Sequence, residues 1–400
     1  MTLQKEQFLK YLAQTSPIPL SVEVEKAEGV WLFDKSGKKY LDLISGISVN
    51  NIGHRHPEVI KALHEQIDKY LHVMVYGEFI LSPQVELAQL ICSTLPPSLD
   101  NVFFVNSGSE AIEGAMKLSK RVTGRTKIVS FKNGYHGSTH GSLSIMGDEV
   151  SKNAFRPLLP DIFIIDFNSP DALSKIDERT ACVVAETIQG EAGVIVPDAS
   201  YLEALRKRCD ETGALLVLDE VQCGMGRTGK LWAFEHFNIA PDIIAMAKGL
   251  GGGLPLGAFV SSKKLMQQLT HNPVLGHIST FGGNPLCCAA AMSTLNVIIN
   301  EKLYLQAESK EKLFRQNLKH PLIKAISGKG LMLALKFDSF EQNKRIIDRC
   351  VQKGIITDWF LFAPNCLRVA PPLIIKDEEI REACSIIIEA VDEESRGNTK

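Results

Sequence analysis

No two cysteines in this 400-residue chain have C-x-x-C spacing; the nine, at 92, 182, 209, 223, 287, 288, 350, 366 and 384, are odd in number and scattered. Neither a zinc cluster nor a disulfide framework follows from such a set, and reduced, buried thiols of a cytoplasmic enzyme are the expectation. A basic excess is also missing. Lys and Arg number 44 against 46 Asp and Glu, a formal net charge of −2, which argues against nucleic acid or an anionic membrane surface as partner. No apolar run reaches membrane-spanning length, and the opening "MTLQKEQFLKYLAQTSPIPL" lacks the charged-then-apolar plan of a signal peptide. Repeats and low-complexity linkers are missing too. Apolar material is not: 45% hydrophobic residues suffice for a sizeable core and for two or three domains.

Between residues 100 and 262, short β-rich runs alternate with helical stretches: "NVFFV", "KIVSF", "IFIID", "CVVAE", "ALLVLD", "IIAMA" and "LGAFVS". Near-continuous apolar runs of this kind predict a mainly parallel sheet covered by helices on both faces. One helix is readable in detail: "DASYLEALRKRCDETG" starts at a cap, Asp198, and stops at Gly213. After about residue 290 the pattern changes to a helical stretch, "GLMLALKF", a helix over "FEQNKRIIDRCVQKG", a strand "LRVA" and a last helix from about Lys376. That predicts a separate, smaller α+β domain.

In open parallel sheets, ligands sit beyond the carboxyl ends of the strands, so the loops there are the places to look for chemistry. After "NVFFV", Ser107 and Glu110 in "NSGSEA" have capping-box spacing, and the Ser-Gly-Ser turn offers backbone N–H groups to an anion such as phosphate. After "KIVSF", Tyr135 and His136 stand between glycines, where a ring can stack on a planar ligand. Glu186 and Glu191 follow "CVVA", with solvated carboxylates as the default reading. Asp219 ends the apolar run "ALLVL" and is withdrawn from water, so it needs a cationic or hydrogen-bonding partner. The next loop holds "GMGRTGK", which fits two nucleotide-binding patterns; the magnesium-binding Ser/Thr is replaced by Leu231, and "EVQC" separates the aspartate from the glycines.

The stretch "DIIAMAKGLGGGLPLGAFV", residues 242–260, sets Lys248 at a strand end before four glycines. Desolvation there lowers the amine's pKa and makes it a nucleophile toward carbonyls, while the glycines admit a close approach of backbone and cofactor. Lysine, withdrawn acid, aromatic loop and anion seat together are the parts needed to hold pyridoxal phosphate.

With these residues in place, the sequence resembles the class III aminotransferases of the fold-type I pyridoxal-phosphate superfamily. The likeness runs from "GVWLFDKSGKKYLDLISGISVNNIGHRHPEV" to "CLRVAPPL". It implies an α/β fold, a mainly parallel seven-stranded sheet with helices on both faces plus a smaller α+β domain. The implied division is an N-terminal segment 1–50 contributing to the small domain, a large cofactor-binding domain 51–290 and a small domain 291–400. The resemblance makes Lys248 the lysine that carries the cofactor and moves the substrate proton, and Asp219 the partner of the pyridine nitrogen. Gln222 comes near the phenolic oxygen, Val221 and Tyr135 flank the ring, and Ser107, Gly108 and Ser109 hold the phosphate. His136 and Glu186 join the cofactor-binding set. Thr280, in "HISTFGGNP", matches a threonine that reaches the phosphate of a neighbouring subunit, which implies a homodimer with shared active sites.

The same resemblance implies a ping-pong transfer from an ω-amino acid or related amine (acetylornithine-, ornithine- or 4-aminobutyrate-like) to 2-oxoglutarate. Glu191 and Arg368 resemble a gate pair in which the arginine receives the keto acid's α-carboxylate, for which its planar fork is suited. Two departures bear on the donor: Ser138, in "YHGST", stands where ornithine-type enzymes carry an arginine, and Ile47 where they tend to carry a tyrosine. Tyr76 and Trp359 are further candidates for the pocket wall. The two histidines of "GHRHP" belong to a family landmark, and no metal is expected. An aminomutase or racemase on the same scaffold, a nucleotide-binding protein using "GMGRTGK" and a non-catalytic cofactor-binding regulator are the alternatives.

Overall fold

The computed structural model describes residues 3–397; the first two and last three residues of the expected segments 1–50 and 291–400 lie outside the described residues. A seven-stranded sheet occupies the centre. Its order is Asn101–Val105, Gly257–Ser261, Ile243–Met246, Leu215–Asp219, Thr180–Glu186, Lys127–Phe131 and Ile162–Ile165. Gly257–Ser261 is antiparallel to both its neighbours, and the other contiguous pairs are parallel.

The two-residue period of the strands decides how this sheet is covered. Val183, Ala185, Leu216, Leu218, Ile244 and Met246 face one apolar cluster, which includes Leu202, Leu205 and Cys209 of the helix Ala199–Thr212. Their chain neighbours Cys182, Val184, Val217, Ile243 and Ala245 face a second, which includes Ala111, Ile112 and Ala115 of the helix Gly108–Thr123. Both sheet faces are therefore dry, which explains why these strands read as unbroken apolar runs. The helix expected from Asp198 to Gly213 is present, with Gly213 in the left-handed conformation at its end. The Asp198 side chain makes no cap; its Oδ2 accepts from Asn168 Nδ2 instead.

Two four-stranded sheets flank the centre. One joins Val24–Glu28, Trp31–Asp34 and Lys39–Asp42 to Ile355–Ile356, so residues from both parts of the chain share it. The other contains Ala325–Lys329, Met332–Lys336, Ala363–Val369 and Trp359–Phe360. The helices Leu303–Asn317 and Phe340–Gln352 both pack on Asp377–Gly397. Six of the seven central strands, all but Gly257–Ser261, end their carboxyl edges at the same rim, and the loops of interest begin there.

Candidate active site

Parallel register sets two acids side by side. Glu186 lies opposite Asp219 on the neighbouring strand, and Asp219 opposite Ala245, two residues before Ala247 and three before Lys248. Both acids are buried. Asp219 Oδ2 is 2.8 Å from His136 Nδ1, and its Oδ1 accepts the Val221 N–H at 2.9 Å. Glu186 accepts the N–H groups of Tyr135 and Gly190 at 3.1 and 2.9 Å. Desolvation nevertheless pushes Glu186 up to about 7, aided by the charge of Asp219 and opposed by His136. For His136, burial opposes the charged form, but the hydrogen bond and charge of Asp219 and the charge of Glu186 raise its pKa overall. His136 Nε2 is buried without a partner.

Lys248 begins a short 3₁₀ turn, Lys248–Gly251, just past the strand Ile243–Met246. Its φ is +47°, a region that costs a side-chain-bearing residue free energy and that recurs at functional sites. The side chain retains some exposure through the cavity but is otherwise enclosed. Desolvation pulls its amine below the ordinary lysine value, against the opposing charges of Glu191 and Asp219.

The glycines after it serve a purpose other than the expected one. A Cβ on Gly249 would meet the Asn51 side chain at 2.7 Å, and one on Gly252 the Thr294 hydroxyl at 2.1 Å. They make room chiefly for protein; of the four, Gly253 alone lines the cavity. The glycines of "GMGRTG" also meet protein, Gly224 at the Glu220 carbonyl and Gly226 at Leu373, and none lines the cavity. Between them Arg227, wholly buried, donates to the carbonyls of Leu331 and Pro371 and to Asn51 Oδ1. With no carboxylate of the described residues in contact, burial pulls its pKa down to about 9. The motif is a structural knot joining three parts of the chain, which removes the basis of the nucleotide reading.

On the opposite side, Ser107 caps the helix Gly108–Thr123, its Oγ accepting the Glu110 N–H at 3.2 Å. The box closes one residue early: Glu110 accepts from the N–H of Asn106, not of Ser107. The helix start Ser107–Ser109 lines the cavity, and a helix N-terminus favours negative charge there. A Cβ on Gly108 would touch Val221 at 2.9 Å, so that turn and the Val221 side chain are in close packing.

A third group closes the site. Arg368 grips Glu191 through both terminal nitrogens, at 3.1 and 3.0 Å, and its Nε donates to Asp358 at 2.7 Å. The guanidinium also lies 4.1 Å from the Phe360 ring centroid. Desolvation would raise Glu191, but the charge and hydrogen bonds of Arg368, with Gln222, bring it down to about 2. Gln222 donates to Glu191 Oε1 at 3.0 Å and leaves its own Oε1 buried and unpartnered.

These elements enclose a cavity of about 470 Å³ whose wall includes Ser107, Gly108, Ser109, Tyr135, His136, Glu186, Glu191, Asp219, Val221, Gln222 and Lys248. Eleven of the thirteen expected residues thus converge. Arg368 lies behind Glu191 instead of in the wall, and Thr280 is exposed outside this cavity. Tyr76 lines a separate cavity, and Trp359 offers Arg368 its backbone carbonyl at 3.4 Å. Missed were Val49, Asn106 and Leu254–Leu256 of the wall, and Asp358. The strand-end position of Asn106 was a usable signal; nothing local marks Asp358.

The family described as Aminotransferase class-III matches residues 11–391. The chain is 38% identical to an acetylornithine aminotransferase of Methanopyrus kandleri, over 92% of this chain and 94% of that one. To the acetylornithine aminotransferase of Bacillus subtilis it is 39% identical, covering 94% and 97%. Among solved structures, the ornithine aminotransferase of Toxoplasma gondii, with pyridoxal phosphate in partial occupancy at its active site, superimposes with a TM-score of 0.92. That match has 32% identity and covers 99% of this chain and 96% of that one. An adenosylmethionine-8-amino-7-oxononanoate aminotransferase of Methanocaldococcus jannaschii fits almost as well, with a TM-score of 0.90, 30% identity and 98% and 99% coverage. Scaffolds this alike carry enzymes named for different donors, so the backbone does not select the donor. The chain belongs to the class III aminotransferases, fold-type I transaminases that depend on pyridoxal phosphate.

Proposed function

We propose that this enzyme moves an amino group from an ω-amino acid or related amine, of the acetylornithine, ornithine or 4-aminobutyrate kind, to 2-oxoglutarate in two half-reactions at Lys248. The observation that carries this is the strained, desolvated lysine that lines one cavity with two register-paired acids. The residues fit the cofactor. Gln222 Oε1 and His136 Nε2 are buried polar atoms awaiting partners, the helix start at Ser107–Ser109 suits a phosphate, and Tyr135 and Val221 offer the ring two walls. Pyridoxal phosphate, when bound, supplies an electron-accepting ring that stabilises the charge left when a proton leaves the substrate carbon.

The chain's own groups do the rest. Lys248 Nζ, with its pKa lowered, takes and returns the proton at the reacting carbon. Asp219, oriented by His136 and the Val221 N–H, keeps a proton on the ring nitrogen; Glu186 fixes the Tyr135 backbone beside it. Arg368 receives the keto acid's carboxylate when Glu191 releases it, and Glu191 covers that charge otherwise. An aminomutase or racemase would use the same groups without an acceptor, so dependence of turnover on added 2-oxoglutarate separates the readings.

The dimer belongs to the same proposal. Thr280 is exposed between the exposed Ile278 and Phe281, while Phe79 and Ile80 crown a neighbouring cavity that Ser279 helps line. A second copy would cover this apolar area and bring Thr280 to its cofactor. Residues 1–50, 51–290 and 291–400 would serve as N-terminal segment, large domain and small domain, in an enzyme of the cytoplasm. The test is the visible spectrum of the purified protein during addition of single amino donors. Bleaching by glutamate and by one terminal amine supports the reading; a protein that stays colourless with added pyridoxal phosphate would sink it.

A further inference from the structure

Two carboxylates share Arg368, and they are attached to the molecule in different ways. Trp359 pairs with Leu367 across the hairpin of Trp359–Phe360 and Ala363–Val369, which sets Asp358 opposite Arg368. The Arg368 N–H donates to the Asp358 carbonyl at 2.9 Å, and the Thr357 hydroxyl donates to the Arg368 carbonyl at 2.6 Å. The ion pair from Arg368 Nε to Asp358 Oδ1, 2.7 Å long, is therefore built into a single hairpin. Glu191 comes from elsewhere. It lies in the loop after Thr180–Glu186, a strand of the central sheet, and it occupies the Nη1 and Nη2 fork.

The remaining contacts make the same distinction. Among the described residues, Arg368 is the one hydrogen-bond donor to the Asp358 carboxylate. Glu191 accepts also from Gln222 Nε2 and from the Leu361 N–H, and it lines the cavity, as Asp358 does not. A carboxylate entering the cavity thus meets Glu191 and has to replace it on the fork. During that exchange Arg368, only 4% exposed, loses one of its counter-charges. Were Glu191 the sole one, its release would leave a cation uncompensated where water scarcely reaches, and that penalty would hold the pair shut. With Asp358 on Nε, the guanidinium keeps a counter-charge throughout. Its fork also keeps its aim, beside the Phe360 ring at 4.1 Å from the centroid.

Resting on the reading that Glu191 and the keto acid's carboxylate exchange on Arg368, we infer that Asp358 is a positioning residue that makes this exchange possible. Asp358 is the fixed counter-charge of the arginine, and Glu191 the replaceable one.

The experiment uses the holoenzyme and glutarate, a dicarboxylate with neither amino nor keto group, which binds without turnover. Asp358→Asn keeps an acceptor for Nε and removes the charge. Its glutarate Kd, read by titration calorimetry, should rise about tenfold. The glutamate concentration for half-maximal bleaching should rise with it, while the limiting rate of that half-reaction stays unchanged. In a Glu191→Gln background nothing charged competes for the fork, so the same substitution should produce no rise. An equal rise in both backgrounds would mean that Asp358 only shapes the hairpin, and no rise in the native background would mean that its charge is idle; either result overturns the inference. Should Asp358→Asn fail to fold, Asp358→Glu keeps the charge and should bind glutarate within about threefold of the unmutated enzyme, and a loss of about tenfold there overturns it too. Bleaching of the unmutated holoenzyme by glutamate separates the two failures. If glutamate bleaches and glutarate binding ignores Asp358, only this role is wrong; if nothing bleaches, the aminotransferase chemistry falls and the role with it.

Discussion

The two acidic walls facing Lys248 are built in different ways. Asp219 and Glu186 end adjacent parallel strands, so their proximity follows from register, and their polar partners are His136 and backbone N–H groups. Glu191 and Asp358 sit on loops and converge on Arg368, which is 177 residues from Glu191. The first wall holds its acids short of full charge compensation, and Glu186 rises to about 7. The second compensates by direct ion pairing, and Glu191 falls to about 2. Equal burial thus produces opposite shifts, because the partner's charge, not the depth, decides the sign. The first arrangement suits a fixed field at a cofactor, the second a pair that can exchange partners.

The largest expected effect is at the residue between the walls. Lys248→Ala should lower turnover by at least about 10⁴-fold and abolish the visible band of the bound cofactor. A variant with near-normal rates would remove the reason for both walls. Next, Asp219→Asn keeps the shape of the first wall and removes its charge, and the glutamate half-reaction, followed by stopped flow, should slow by about 10²–10³-fold. If Glu191→Gln slows that step as much, the walls do not differ in function as described.

In stability the order reverses. Arg368→Ala strands the buried Glu191 and the half-buried Asp358 and should cost about 3–5 kcal/mol in urea unfolding. Glu191→Gln leaves Arg368 on Asp358 and should cost about 1–3 kcal/mol. Equal losses would show that Asp358 does not share the charge.

The smallest effect is in pH dependence, and here the walls should part in sign. Glu186 has a folded-state pKa above its ordinary 4.5, so the folded protein binds more protons between pH 4.5 and about 7, and stability falls as pH rises through that window. Glu220, buried and also raised to about 7, adds in the same direction. Glu191 is depressed from 4.5, so its contribution is present above pH 4.5 and lost as pH falls toward about 2. Glu186→Gln should flatten the loss between pH 5 and 8 by about 1–3 kcal/mol, whereas Glu191→Gln should alter only the acid limb. An unchanged slope in Glu186→Gln would place its proton elsewhere.

Local pattern carried much of this molecule. The apolar runs, period-two strands and capped helices are short-range features, and by themselves they put Ser107, Tyr135, Glu186, Asp219 and Lys248 at one sheet edge. Even so, "KGLGGG" and "GMGRTG" look equally suited to a ligand as sequences, and only packing against Asn51, Thr294 and Leu373 shows that both loops are shaped largely by protein neighbours.

What the sequence by itself determined is the sheet, its covering helices and the chemistry of the lysine and the acid, because hydrogen-bond periodicity and side-chain burial act over a few residues. Tertiary structure alone decided that His136 supports Asp219 from 83 residues away, that Asp358 shares Arg368 and that Arg227 is a knot. Each of these depends on where distant segments come to rest. A side chain's charge state and partner are set by the three-dimensional neighbourhood that desolvates or compensates it, which no local stretch of sequence contains.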